Sequence, residues 1–137
     1  MKVMNFNKLL DSKIVLYSFL FLIALFVVFS STYNPLNFKR MYVDSSVYVT
    51  VAQGITRGYL PYKDMVDNKG PLTYLLSVPG IFLANFTGIW ITELIILFIT
   101  IVFAYKTALF FASRHYALFG TIFTFIILLS FQQNLMV

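Results

Sequence analysis

Three stretches of this sequence carry no charge and are long: 14–31 with 18 residues, 70–92 with 23 and 116–137 with 22. A fourth, shorter apolar run follows Glu93 as far as Ala104. Crossing the hydrocarbon of a bilayer takes roughly 20 apolar residues in a helix, and charges are costly there. The pattern therefore predicts membrane helices over 14–31, 88–112 and 116–135. Between the first two lies a segment of a different kind. Residues 32–69 hold Lys39, Arg40, Asp44, Arg57, Lys63, Asp64, Asp67 and Lys69, eight of the fifteen charged residues. This loop must lie outside the hydrocarbon.

Within the loop, Val47, Tyr48, Val51, Ala52 and Ile55 recur at the spacing of one helical face. They predict an amphipathic helix over 44–57 lying on a membrane surface. Asp44 suits its N-cap, and Gly58 suits a left-handed residue that closes it. Segment 71–86 is apolar, but Pro71, Pro79-Gly80 and Gly88 punctuate it or follow it. It is expected to be a juxtamembrane or re-entrant helix, with a full crossing as the alternative. The fold class is thus all-α, with three membrane helices, or four if 71–86 crosses.

Composition narrows the class further. Of 137 residues, 60% are hydrophobic, 19% aromatic and 11% charged. Soluble domains carry about 25% charged residues, so an ordinary water-soluble globule and a disordered chain are both excluded. The net charge of +5 is spread along the chain, which leaves no basic face for a nucleic acid. The sequence has no cysteine, and so no disulfide, thiolate metal site or thiol nucleophile. Lys2, Lys8, Asp11 and Lys13 precede the first apolar run. A basic start before an apolar core also describes a secretory signal, but the length of the run favours an uncleaved signal-anchor.

Lys and Arg favour the cytoplasmic side of a membrane. With the amino terminus inside and 71–86 crossing, three basic residues lie inside and seven outside. If 71–86 stays at the interface, the split is five and five. An outside amino terminus with four crossings gives seven inside and three outside. Charge alone favours a cytoplasmic loop; basic residues retained to bind an anionic substrate would reverse that preference.

Three pieces of the loop stand in order: Asp44 opening the surface helix, Gly58-Tyr59-Leu60-Pro61-Tyr62-Lys63-Asp64, and Asp67-Asn68-Lys69-Gly70-Pro71-Leu72-Thr73-Tyr74. Read as G-x-x-P-Y-x-D and D-x-K-G-P-x-x-Y, they resemble the first loop of the family 39 glycosyltransferases. These are relatives of the protein mannosyltransferases and of the lipid A aminoarabinose transferases, polytopic enzymes that use polyprenyl-phosphate sugars. The resemblance covers roughly 14–131, and its informative part is 44–74. Many relatives have a second acid directly after the first, where this chain has Ser45.

The resemblance implies a plasma-membrane, multi-pass protein whose loop 32–70 is extracytoplasmic. Its partners would be a polyprenyl-phosphate sugar donor, membrane lipids and the remainder of a larger polytopic enzyme, with no cofactor. Carried over, the catalytic base is Asp44. A carboxylate at the bilayer surface can take the proton of an acceptor hydroxyl as that oxygen attacks the anomeric carbon. A single displacement of this kind inverts the anomeric centre.

Lys69 and Arg57 are candidates to meet the donor phosphate, against the plainer reading that they snorkel at the interface. Asp64 and Asp67 are candidate substrate contacts, or else shape the turn and pair with Lys63 and Lys69. Tyr48 is a candidate sugar-stacking ring or part of an interfacial tyrosine belt. Glu93 is a carboxylate within an apolar segment, which makes it a candidate site residue on grounds of cost; the alternative is an interfacial carboxylate. No transition-metal motif is present. Three or four helices cannot enclose a lipid-linked donor and an acceptor, so the chain is expected to be the amino-terminal part of a longer enzyme and inactive alone. Two other classes fit the same pattern: a small non-catalytic membrane subunit, and part of a lipid transporter or flippase with a cytoplasmic basic loop.

Overall fold

In the computed structural model, residues 12–31, 33–36, 43–66 and 69–134 are described, apart from the side chains of 43, 44 and 128–134. They form four α-helices and no strand: α1 (Lys13–Val28), α2 (Val43–Thr56), α3 (Pro71–Ala108) and α4 (Arg114–Asn134). The described residues divide into two compact units, one within 28–96 and the other holding 12–27 and 97–134.

In the second of these units, α1 buries Leu16, Leu20 and Ala24, α3 buries Ile101 and Tyr105, and α4 buries Ala117, Thr121 and Phe125. Each set recurs every four residues, the step that stacks side chains along one helical face. Phe21 meets Phe98 edge to face at 5.5 Å between centroids. The remaining faces are also apolar: Ile14, Phe26, Phe103, Phe119 and Ile126 are all exposed. Helices hydrophobic all round are either buried on every side or surrounded by lipid.

The unit 28–96 is built around Tyr33, Val49 and Ile89, with Ile81, Phe86 and Trp90 packed against them. α3 is not one straight helix. Ala84 (φ −164°, ψ 39°) and Asn85 (φ 53°, ψ −125°) leave helical geometry, dividing it into arms 71–83 and 86–108. Residues eight apart in a straight helix are separated by about 12 Å. Here a Cβ added to Gly88 would lie 1.9 Å from the Gly80 carbonyl oxygen, and one on Gly80 would lie 2.5 Å from the Ile89 Cα. The arms fold back on each other backbone to backbone, which only glycine allows. Asn85 supplies the positive φ of the turn, a conformation asparagine accepts more readily than most residues.

α1 ends at Val28, three residues before the predicted end at Ser31, because the Ser31 N–H closes a tight turn onto the Val28 carbonyl at 3.0 Å. The second arm ends at Ala108 rather than 112. Its last carbonyls are taken by i→i+3 bonds, from Phe110 to Thr107 and from Phe111 to Ala108, both at 3.1 Å. Lys106 lies in this last turn, where a cation complements the negative helix end. One helix among the described residues, α3, is long and apolar enough to cross a membrane, while α1 is a shorter apolar helix. The second arm alone measures about 35 Å at 1.5 Å per residue, which suffices for a crossing.

Candidate functional site

α2 carries Asp44 and Tyr48 and leads into Arg57, and its two ends are built differently. Its carboxy end is closed by backbone bonds. The Tyr59 N–H reaches the Gly54 carbonyl and the Gly58 N–H the Ile55 carbonyl, both at 3.0 Å, while Gly58 takes φ +91°. This pair of bonds is a Schellman motif, and the left-handed residue it needs is glycine.

The G-x-x-P-Y-x-D segment then folds on itself. Asp64 Oδ2 accepts the Leu60 N–H at 2.8 Å, and the Asp64 N–H bonds the Leu60 carbonyl at 2.9 Å. The Tyr62 N–H reaches the Met65 carbonyl at 2.8 Å beside a single bridge between Pro61 and Met65. The Tyr62 hydroxyl donates to the Lys69 carbonyl, tying this turn to the D-x-K-G-P segment. The Met65 thioether fills the space that a Gly54 side chain would take, 2.4 Å from that imagined Cβ.

At the amino end of α2, Asp44 stands in the first turn, since the helix opens at Val43. Its side chain lies outside the described part. Beside it Ser45 is buried, and the Ser45 carbonyl accepts the Tyr33 hydroxyl at 3.2 Å. Burial pushes the Tyr33 phenol up to about 12; a side-chain hydrogen bond with Ser45 works the other way, and Glu93 and Tyr48 add to the rise. Tyr48 and Glu93 thus act on the same phenol, although 45 positions of sequence separate them. Tyr48 also faces Tyr74, centroids 6.1 Å apart, and Tyr74 is fully buried.

Glu93 enters this cluster from the second arm of α3. Its Oε2 accepts the Ser31 hydroxyl at 2.5 Å, and the Ser31 oxygen in turn accepts the Tyr33 N–H at 3.3 Å. One turn earlier, the Trp90 indole N–H donates to the Val28 carbonyl at 3.0 Å, and the Trp90 ring meets Phe29 edge to face. Asn34, 3% exposed, secures the intervening loop with both ends of its amide: Nδ2 donates to the Phe29 carbonyl and Oδ1 accepts the Leu36 N–H. No buried side-chain nitrogen or oxygen among the described residues lacks a partner. The site's supports are therefore satisfied internally.

Of the residues nominated from sequence, Glu93 is joined through Ser31 to the Tyr33 backbone, and Tyr48 packs against Tyr74. Both add to the rise of the Tyr33 phenol, whose hydroxyl bonds Ser45 beside Asp44. Arg57 and Asp64 belong to the other end. Arg57 is exposed and follows the last turn of α2, about 20 Å along the axis from Asp44 at 1.5 Å per residue. Asp64 is engaged in its turn. Lys69 is half-buried and joined to that turn through its carbonyl. Asp67 lies outside the described residues. Sequence reasoning missed Ser31, Tyr33, Asn34 and Ser45. Ser31 and Glu93 are 62 positions apart, and no local pattern pairs them. Among the described residues, no group of three His, Cys, Asp or Glu is placed to hold a metal ion.

Comparison of this chain with protein-family models, with curated proteins and with solved structures gave no match.

Proposed function

We propose that this chain is the membrane-embedded amino-terminal part of a glycosyltransferase that takes its sugar from a polyprenyl-phosphate carrier. The observation that carries the reading is the joining of the three loop pieces within one unit. The Asp44 turn stands beside Tyr33 and Ser45, the G-x-x-P-Y-x-D turn closes the other end of α2, and the D-x-K-G-P-x-x-Y piece reaches both. It does so through the Lys69 carbonyl on Tyr62 and the Tyr74 ring on Tyr48.

On this reading α1, the second arm of α3 and α4 cross the plasma membrane, and the loop faces the extracytoplasmic side. Asp44 accepts the proton of the acceptor hydroxyl while the oxygen attacks the anomeric carbon. The bond from that carbon to the phosphate oxygen breaks, and the polyprenyl phosphate leaves with the bonding pair. The anomeric centre inverts. Lys69, whose segment runs from the carboxy-end turn to Tyr74 beside Tyr48, is the candidate to hold the phosphate. Arg57, at the far end of α2, meets lipid headgroups instead of the reacting phosphate. Tyr48, next to Tyr74, offers a ring edge to the sugar, and Glu93 fixes the loop below through Ser31.

The test is Asp44→Asn in the complete enzyme. Removing a general base costs roughly 10²–10⁴ in rate, so transfer from a polyprenyl-phosphate sugar should fall at least a hundredfold with expression and thermal stability unchanged. Full activity in that variant eliminates Asp44 as the base. Impermeant thiol labelling at Ser46→Cys from outside intact cells checks the sidedness independently.

A further inference from the structure

The strap that follows α1 is anchored at several points. The Val28 carbonyl takes the Trp90 indole N–H, the Phe29 carbonyl takes the Asn34 amide, and the Ser31 hydroxyl donates to Glu93. The Asn34 N–H returns to the Ser31 carbonyl at 3.1 Å. Two of the anchors, Trp90 and Glu93, stand three positions apart, on one side of the second arm of α3. The strap in turn holds α2, through Tyr33. This buried side chain packs in the core with Val49 and donates its hydroxyl to the Ser45 carbonyl at 3.2 Å. Ser45 and Val49 are four positions apart and share a face of the helix. Tyr33 therefore grips α2 at two successive turns.

The hydroxyl bond falls where a helix is weakest. The N–H groups of a first turn have no partner within the helix, and such ends fray. Ser45 directly follows Asp44 in that turn, so a hold on the Ser45 carbonyl is a hold on the backbone that carries the carboxylate. We infer that Tyr33 is a positioning residue for Asp44, fixing the first turn of α2 from outside the helix. Glu93 acts one step further back, through the Ser31 oxygen that accepts the Tyr33 N–H. Burial pushes the phenol up to about 12, so the group stays a neutral donor throughout the neutral pH range. The inference deepens the reading of Asp44 as the base and rests on it. Its leverage is geometric, since displacing a reacting group by about 1 Å can cost about a hundredfold in rate.

The test uses the complete enzyme, with transfer from a polyprenyl-phosphate sugar read as kcat and KM, and hydrogen exchange read at residues 44–48. In Tyr33→Phe, kcat should fall about tenfold or more, while KM for the donor stays within about twofold. Exchange at 44–48 should quicken, and exchange at 57–65 should not change. Placed on Asp44→Asn, Tyr33→Phe should lower kcat no further, because a residue that acts through the base has nothing left to position. Ser31→Ala keeps the phenol but frees the strap from Glu93, and should lower kcat in smaller measure. Ser31→Thr keeps the hydroxyl and should not. A further loss on the Asp44→Asn background overturns the inference, since Tyr33 would then act on its own. A lowered kcat with unchanged exchange at 44–48 overturns it too. Should Tyr33→Phe fail to fold, Ser31→Ala decides, and wild-type kcat in that variant overturns the inference. Full activity in Asp44→Asn removes the base and the inference together. A loss of about a hundredfold there, with wild-type kcat in folded Tyr33→Phe, removes the inference alone.

Discussion

The two ends of α2 hold their shape by different means. At the carboxy end every bond is short in sequence: Gly54 to Tyr59, Ile55 to Gly58, Leu60 to Asp64. At the amino end the contacts come from afar. Tyr33 reaches Ser45, Glu93 reaches Ser31, and Tyr74 reaches Tyr48. A turn made of local bonds can form before the rest of the chain has folded, and it survives damage elsewhere. A cluster assembled from distant segments exists only when all of them are in place, so its loss is felt throughout the unit. The proposed base stands at the second kind of end, where its position is set by the whole unit and not by its neighbours in sequence.

That contrast breaks first at the α3 turn, which brings Ile89 and Glu93 to the amino end. Gly88→Ala puts a methyl group into the Gly80 carbonyl, and backbone cannot yield as a side chain can. We expect a loss of about 3 kcal/mol, the upper range for overpacking, read as a lowered unfolding midpoint in detergent. Tyr33→Phe removes the donor to Ser45 and should cost about 1–2 kcal/mol.

Alkaline titration sharpens the same point. Tyr33 titrates at about 12 in the fold against an ordinary 10, so the fold favours the neutral phenol. Its contribution is complete below pH 10 and is lost as the pH rises towards 12. Wild-type protein should lose stability across that window more steeply than Tyr33→Phe, as followed by phenolate absorbance and the unfolding midpoint. At the carboxy end the effects are smaller. Gly58→Ala forces alanine to φ +91° for about 1 kcal/mol. Asp64→Ala, at an exposed turn, costs about 0.5 kcal/mol. Both should raise hydrogen exchange at residues 57–65 and leave Tyr33 unchanged.

The same division governs what could be read from sequence. Gly58 announced its own left-handed turn, because few other residues take that conformation at the end of an apolar-periodic segment. The all-helical class followed from uncharged runs too long for anything else. The proline and glycine of 79–80 marked trouble near the α3 turn, yet the break falls later, at Ala84–Asn85, set by the approach of Gly88 to Gly80. The polar cluster left no trace, since Ser31, Tyr33 and Ser45 belong to three separate local patterns until Glu93 is brought to Ser31. Glu93 attracted notice only for its cost in an apolar segment. Its partner supplies what cost arguments cannot, the identity of the group that meets it.

Met65 carries a consequence of its own. Its sulfur occupies the hollow left by Gly54, and a thioether is open to peroxide. An added sulfoxide oxygen turns the apolar group polar and favours water over the hollow. Oxidative damage would therefore lift the turn off α2 at this one atom, with the peptide chain uncut.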